Sequence, residues 1–169
     1  MFIKEPIAYI PKIRTWLNTY PPFQPYLVVP QDNFQYINRI HVGAFPEFAT
    51  QGASMMQPIQ ITSTKTRDVG GNVSITRRFM TSIFALVPSR DDFTREDAIN
   101  FNSDFVHWAD EQSILGLVPK FGDYDTLNEE LKIVGNFMWN LIENKGQGLA
   151  QYRWDLTITH FLFYEAQPL

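Results

Sequence analysis

The clearest pattern along the chain is an alternation of apolar and polar residues over 150–164. One face of this segment is apolar, at Tyr152, Trp154, Leu156, Ile158, Leu162 and Tyr164. The other face is polar from Arg153 to Thr159, and only over 161–164 are both faces apolar. A period of two is typical of a β-strand that buries one face, so the pattern predicts a strand over 150–164. The doubly apolar end predicts cover on both faces, from the chain's own helices or from a neighbouring subunit.

A second pair of strands is predicted in the middle of the chain. Residues 59–66 alternate and are rich in β-branched side chains, and residues 73–87 form a second strand-like run. Between them stands a turn sequence whose Gly70-Gly71-Asn72 supplies the positive φ angles that a tight turn needs. The sequence therefore predicts that these two runs pair as a β-hairpin.

Two segments have helical spacing. Over 94–113, Thr94 and Asp97 resemble a capping box, and Gly116 follows the last turn as a C-cap. The predicted buried face of this helix carries Ala98, Phe101, Phe105, Trp108 and Gln112. The N-terminal segment 1–25 is also predicted to be helical, with its helix beginning near Pro11 and ending before a proline cluster.

Other segments leave the structure open. Residues 26–29 and 34–42 both have the composition of strands. The segment 127–142 fits a helix face and a strand face equally well, and Gly135 in its middle weakens both interpretations.

Extended loops are predicted over 43–58 and 62–72. The first has no sustained period and carries the apolar residues Phe45, Phe48, Met55 and Met56. These side chains either fold back onto the sheet or dock into a partner, and flexible Met and Phe side chains suit adaptable contacts.

Length and composition predict one folded domain over 1–169. The chain has 169 residues, of which 44% are hydrophobic and 19% charged, which is ordinary for a globular protein able to build its own core. Strands and helices that follow one another without a regular alternation predict an α+β fold.

The residues exclude most kinds of chemistry. There is no cysteine, so thiolate nucleophiles, thiolate metal sites and disulfides are absent. The three histidines, His41, His107 and His160, stand far apart, and no nucleotide-binding or hydrolase motif occurs. His160 lies on the apolar face of the last strand, which predicts a buried, hydrogen-bonded histidine. We therefore expect no enzyme activity, no catalytic residues, no bound metal and no cofactor.

Charge and hydropathy bear on the partners. The formal charge is −4 with no block of Lys or Arg, so sequence-specific binding of nucleic acid is not expected. No apolar run approaches the roughly 20 residues of a membrane span, and residues 1–12 lack the core of a signal peptide. We expect synthesis in the cytoplasm and no contact with a membrane.

A set of short motifs resembles one family. They are Trp108, Gln112, the run Pro119-Lys120-Phe121-Gly122-Asp123, Gly135 and Tyr152, and upstream Val42-Gly43 and Pro58-Ile59-Gln60-Ile61. Over residues 35–164 this sequence resembles the minor capsid and tail-terminator (head–tail joining) proteins of tailed bacteriophages. The resemblance implies a twisted, mostly antiparallel sheet with helices on one face and long β-hairpins.

The resemblance also implies a role. Such proteins form a ring, commonly sixfold, at the head-proximal end of the tail, and they act by binding alone. The implied partners are further copies of the chain, the tail tube protein and the neck or connector proteins, in a virion assembled in the host cytoplasm. Candidate interface residues are Phe45, Phe48, Met55, Met56, Arg67, Asp68, Phe161 and Phe163.

Three other functions fit parts of the sequence. A carbohydrate-binding module would use exposed aromatic side chains as a stacking platform. A different head–tail connector or minor capsid protein would share the same binding role. An enzyme with an unrecognised pair of carboxylates would require two acids that converge at strand ends.

Overall fold

The described part of the chain forms an α+β domain with one six-stranded mixed sheet, one two-stranded sheet and two helices. The computed structural model describes residues 5–21, 26–28, 35–37, 40–44, 54–88, 92–123, 130–136, 141–142 and 149–167. The helices are α1 (Tyr9–Leu17) and α2 (Asp92–Ile114). The strands are β1 (Tyr26–Val28), β2 (Gln35–Ile37), β3 (Ile40–Val42), β4 (Ser54–Arg67), β5 (Val73–Pro88), β6 (Glu130–Asn136), β7 (Leu141–Ile142) and β8 (Leu149–Tyr164). The α+β class predicted from the sequence is confirmed.

The large sheet has the order β3-β4-β5-β8-β6, with β7 also paired to β8. Only the short pair β3 and β4 is parallel; the other pairs are antiparallel. The small sheet contains β1 and β2, which are antiparallel. The predicted strand-like run 34–42 is therefore split between two sheets.

β8 is an interior strand of the large sheet, and it confirms the strand that the alternation predicts over 150–164. It pairs with β5 along its whole length and with β6 and β7 on its other side. The predicted apolar face is buried from Tyr152 to Ile158, and Leu162 is buried as well. At the doubly apolar end, Phe161 and Phe163 on the opposite face are half-buried.

The pairing predicted for 59–66 with 73–87 is confirmed, since β4 and β5 are antiparallel around a turn at 68–72. Gly71 has φ +85°, the left-handed conformation that glycine tolerates. The Asp68 carboxylate accepts hydrogen bonds from the backbone N–H and the side-chain amide of Asn72, at 2.9 and 2.8 Å. These bonds lower the pKa of Asp68 and fix the turn.

The buried face of α2 packs on the sheet through Phe105, with Phe101 and Trp108 partly buried beside it. The helix ends as predicted at Gly116, whose φ is +68°. The Leu117 N–H bonds to the Gln112 carbonyl and the Gly116 N–H to the Ser113 carbonyl, which is the Schellman arrangement.

Helix α1 begins two residues before Pro11, so the proline lies in the first turn, where its missing N–H is not needed. Tyr9 stacks on Phe79 of β5 with ring centroids 4.5 Å apart. Ile13, Trp16 and Leu17 are buried, and Trp16 stacks on Trp108 of α2 at 5.0 Å.

Both helices lie on the same face of the sheet. Strand register places three contact residues on that face, namely Phe79, Trp154 and Gly135. Helix α1 contacts Phe79, and helix α2 contacts Trp154 and Gly135. We call this the helix-covered face and the opposite side the open face. Within the described ranges, no helix packs on the open face.

Three loop or ambiguous predictions are settled by strand pairing. Within 127–142 the described residues form β6 and β7, because both add to β8, so the helical alternative is wrong there. The loop predicted over 43–58 is wrong from Ser54 onward, since 54–58 belongs to β4. The extended loop over 62–72 is wrong up to Arg67, because 62–67 continues β4 and only 68–72 turns.

Candidate interaction surface

The most exposed regular structure in the chain is the part of β4 from Gln57 to Arg67, which we call the β4 edge. All 11 of its residues are exposed. One side of this strand pairs with β5, and β3 occupies the other side only as far as Met56. Among the described residues, the backbone N–H and C=O groups along the outer side of the β4 edge therefore have no strand partner. Such an edge is a template for association with another chain.

A register shift between Pro58 and Gln60 places a β-bulge at the start of this edge. Ile59 at the bulge and Ile61 beyond it are each 53% exposed. Lys65 and Arg67 then occupy the end near the turn. Proline, a bulge and cations are features that oppose the pairing of an edge strand with arbitrary strands.

Arg67 and Asp68, two of the predicted interface residues, lie exposed at the end of the β4 edge. The structure therefore places both on an accessible surface. The same surface includes Lys65, Ile59 and Ile61. The sequence does not predict their common exposure, because strict alternation predicts that one side of a strand is buried. Here both sides of β4 are exposed.

Phe161 and Phe163 lie on the open face at the far end of β8 and are half-exposed. Asp123 fixes the backbone of this end. Its N–H bonds to the Phe161 carbonyl at 2.9 Å, and its carboxylate accepts the Phe163 N–H at 2.7 Å. Asp123, in the Phe121-Gly122-Asp123 run of the family resemblance, thus bonds to β8 beyond the point where the β6 pairing ends.

Met55 and Met56 do not form an exposed apolar loop. Both lie in β4, with exposed fractions of 8% and 0%. Met55 and Met56 belong to the part of β4 that lies between β3 and β5. They are therefore part of the sheet itself and not a loop folded back onto it. Phe45 and Phe48 lie outside the described residues.

On the open face, the Asp155 carboxylate pairs with the Arg153 guanidinium. The Asp155 carboxylate accepts a hydrogen bond from Arg153 Nε at 2.8 Å and one from Ser82 Oγ at 2.6 Å. In the described part of the chain, no three His, Asp or Glu side chains converge as metal ligands. This arrangement ties β5 to β8 and offers no nucleophile–base pair.

The helix-covered face contains one buried polar cluster, below the β4 edge. The Tyr9 hydroxyl and His160 Nε2 are joined by a 2.8 Å hydrogen bond, as the sequence predicted for His160. Arg77 stands beside them and donates from Nε to Ser63 Oγ at 3.0 Å. Burial, aided by the charge of Arg77, lowers the pKa of His160 to about 4. The histidine is therefore neutral at neutral pH.

This cluster predicts a pH-dependent stability. The unfolded chain takes up a proton on His160 near pH 6.5, whereas the folded chain resists until about pH 4. The free energy of unfolding is therefore highest above pH 6.5. It falls by roughly 2–3 kcal/mol as the pH approaches 4, because protonation of His160 favours the unfolded chain. Urea unfolding from pH 7 to 4 measures this, and His160→Gln should flatten the decline. His107→Gln, on the exposed side of α2, should leave the decline in stability unchanged. Equal pH profiles for wild type and His160→Gln would contradict the attribution of the decline to His160.

An apolar groove runs between α1 and the segment that follows α2. It has a volume of about 650 Å³ and is lined by Trp16, Leu117, Val118 and Pro119 among others. Ile114 and Leu115 are strongly exposed at the adjacent end of α2. The sequence alone does not predict this surface, because Gly116 indicates where the helix ends but not which side chains remain exposed beyond its end.

Comparison with known proteins adds no relative. The sequence matches neither a protein-family model nor a curated protein. Among the described residues, no helix is long and apolar enough to cross a membrane. The assignment of a function therefore depends on the geometry above and on the family resemblance.

Proposed function

We propose that this chain is a structural subunit of a phage virion that acts by protein–protein binding alone. It forms a ring, sixfold as in the proteins it resembles, at the head-proximal end of the tail, as a tail terminator or neck protein. Its partners are further copies of itself, the tail tube protein and the neck or connector proteins. Its place is the virion, after assembly in the host cytoplasm.

The observation that carries this proposal is the β4 edge. A folded chain that leaves 11 consecutive strand residues exposed has a surface available for another chain. The open face supports the same conclusion, because Phe161, Phe163 and the 47%-exposed Val134 present apolar side chains on it. Exposed strand edges and apolar sheet faces are common features of assembling subunits.

A carbohydrate-binding module gains no support from the described tryptophans. Stacking on a sugar requires an exposed ring, but Trp16 is 5% exposed and Trp154 is completely buried. Trp108 is stacked against Trp16 within the core. The fourth tryptophan, Trp139, lies outside the described residues.

Sedimentation velocity over a concentration series tests the proposal. We expect the purified chain to sediment as an oligomer. A chain that stays monomeric at every concentration would contradict the proposal. A glycan titration followed by Trp fluorescence is the parallel measurement, and no change in emission is expected.

A further inference from the structure

We propose that the β4 edge of one subunit docks onto the outer face of α2 in a second copy of this chain. This inference rests on the proposed function and specifies which two surfaces meet between neighbours in the ring.

The outer face of α2 is strongly acidic. Residues 96–111 contain five carboxylates and neither Lys nor Arg. The exposed side chains fall on one side of the helix at Glu96, Asp97, Asn100, Ser103, Asp104, His107, Asp110 and Glu111. Two carboxylates have local partners, since Asp104 accepts the Tyr20 hydroxyl and Glu111 lies 3.3 Å from His107 Nε2. The helix also carries one cation, Arg95, directly before this stretch.

The β4 edge has the opposite charge. Lys65 and Arg67 are exposed on it and share one face of the strand with Ile61. Asp68, in the adjacent turn, is bound by Asn72 and keeps its negative charge, because those hydrogen bonds lower its pKa. Opposite potentials on two surfaces steer association and fix the register of the contact.

The two surfaces also match in length. From Glu96 to Glu111 the helix rises about 22 Å, at 1.5 Å per residue. From Ile61 to Arg67 the strand extends about 20 Å, at 3.3 Å per residue. Each surface continues into exposed apolar side chains, at Ile59 and Ile61 on the strand and at Ile114 on the helix. Cations can therefore face carboxylates while isoleucines face each other.

Within one subunit these surfaces cannot meet. Helix α2 packs over β6 and over Trp154 of β8, while β5 and β8 separate β4 from β6. Three strand spacings place β4 about 14 Å from β6. A surface on one side of the molecule that fits a different surface on the other side generates a head-to-tail contact, which closes into a ring when the rotation allows.

Charge reversal tests this contact in the full-length chain. Lys65→Glu with Arg67→Glu should weaken self-association at least tenfold, measured by sedimentation velocity at low salt. Asp97→Lys with Asp110→Lys should weaken it similarly, and an equal mixture of the two variants should associate again as a mixed oligomer. Lys12→Glu with Lys120→Glu makes the same change in net charge at exposed positions away from both surfaces and should leave association unchanged.

Each other outcome overturns the inference. If the β4-edge variant assembles like wild type, this edge is not part of the contact between subunits. That result would leave the proposed ring itself uncontradicted. Failure of the mixture to associate, with both variants folded by circular dichroism, would exclude α2 as the acceptor. Loss of duplex DNA binding in the β4-edge variant with unchanged self-association would assign the cations to nucleic acid instead. A monomeric wild type would contradict the proposed function itself.

Discussion

Trp154→Ala is expected to cause one of the largest losses of stability of any single substitution in this chain, about 3–5 kcal/mol. The indole is completely buried in β8, at the point where α2 packs on the sheet. Its ring lies 4.6 Å from Phe105 and 5.7 Å from Phe101, measured between centroids. Alanine would leave a cavity between the helix and the sheet that close packing cannot fill. Urea unfolding followed by circular dichroism measures the loss.

A matched control is available on an exposed strand. Ile61→Ala removes a large apolar side chain from β4, but this side chain is 53% exposed. We expect a loss of less than about 1 kcal/mol, because little apolar area returns to water. Equal losses for the two variants would contradict the placement of Trp154 in the core.

Gly135→Val is the second change with a large expected effect. A Cβ at Gly135 would stand 2.6 Å from Asn102 Oδ1 and 3.1 Å from Val106 Cγ2. The glycine thus allows β6 and α2 to approach closely, and valine would force them apart. We expect a loss of about 3 kcal/mol or more, at the upper end of the range for overpacked cores. Thermal unfolding of the purified variant measures it.

A compensating substitution makes this prediction sharper. Gly135→Ala should lower the free energy of unfolding by roughly 1–3 kcal/mol. Asn102→Ser shortens the contacting side chain, so the double variant should recover part of that loss. Val134→Ala, at the neighbouring exposed position, is the control and should be nearly neutral. Additive effects of Gly135→Ala and Asn102→Ser would show that the two residues do not touch.

The sequence predicted the elements whose patterns are local and unbroken. The alternation from Tyr152 to Ile158 identified β8 and its buried face, because a strand at the centre of a sheet must bury one side. The Gly70-Gly71-Asn72 turn located the return from β4 to β5. Gly116 marked the end of α2, because a left-handed C-cap favours glycine.

Elements defined by distant pairing could not be predicted. Nothing within 127–142 distinguishes a helix from a strand. The described residues of this segment form β6 and β7 because they pair with the side of β8 that β5 does not occupy. In the same way Met55 and Met56 show no strand pattern, yet β3 on one side and β5 on the other make them a strand. Tertiary pairing overrides weak local preference at such positions.

The candidate surface was only partly predictable. Arg67 and Asp68 lie on it, because charged residues beside a glycine turn are normally exposed. The exposure of Ile59 and Ile61 could not be anticipated, since β-branched residues in a strand usually predict a buried face. The acidic side of α2 is visible in the sequence, but its relation to the β4 edge requires the sheet order.

Native mass spectrometry tests the central claim, a closed ring of identical subunits, most directly. The chain has a mass of 19.6 kDa, so each stoichiometry is resolved as an integer number of copies. We predict a single dominant assembly, six copies if the ring matches the proteins it resembles, because a closed ring leaves no free surface for further addition. A monomer alone, or an open ladder of ever longer assemblies with no preferred number, would contradict the claim.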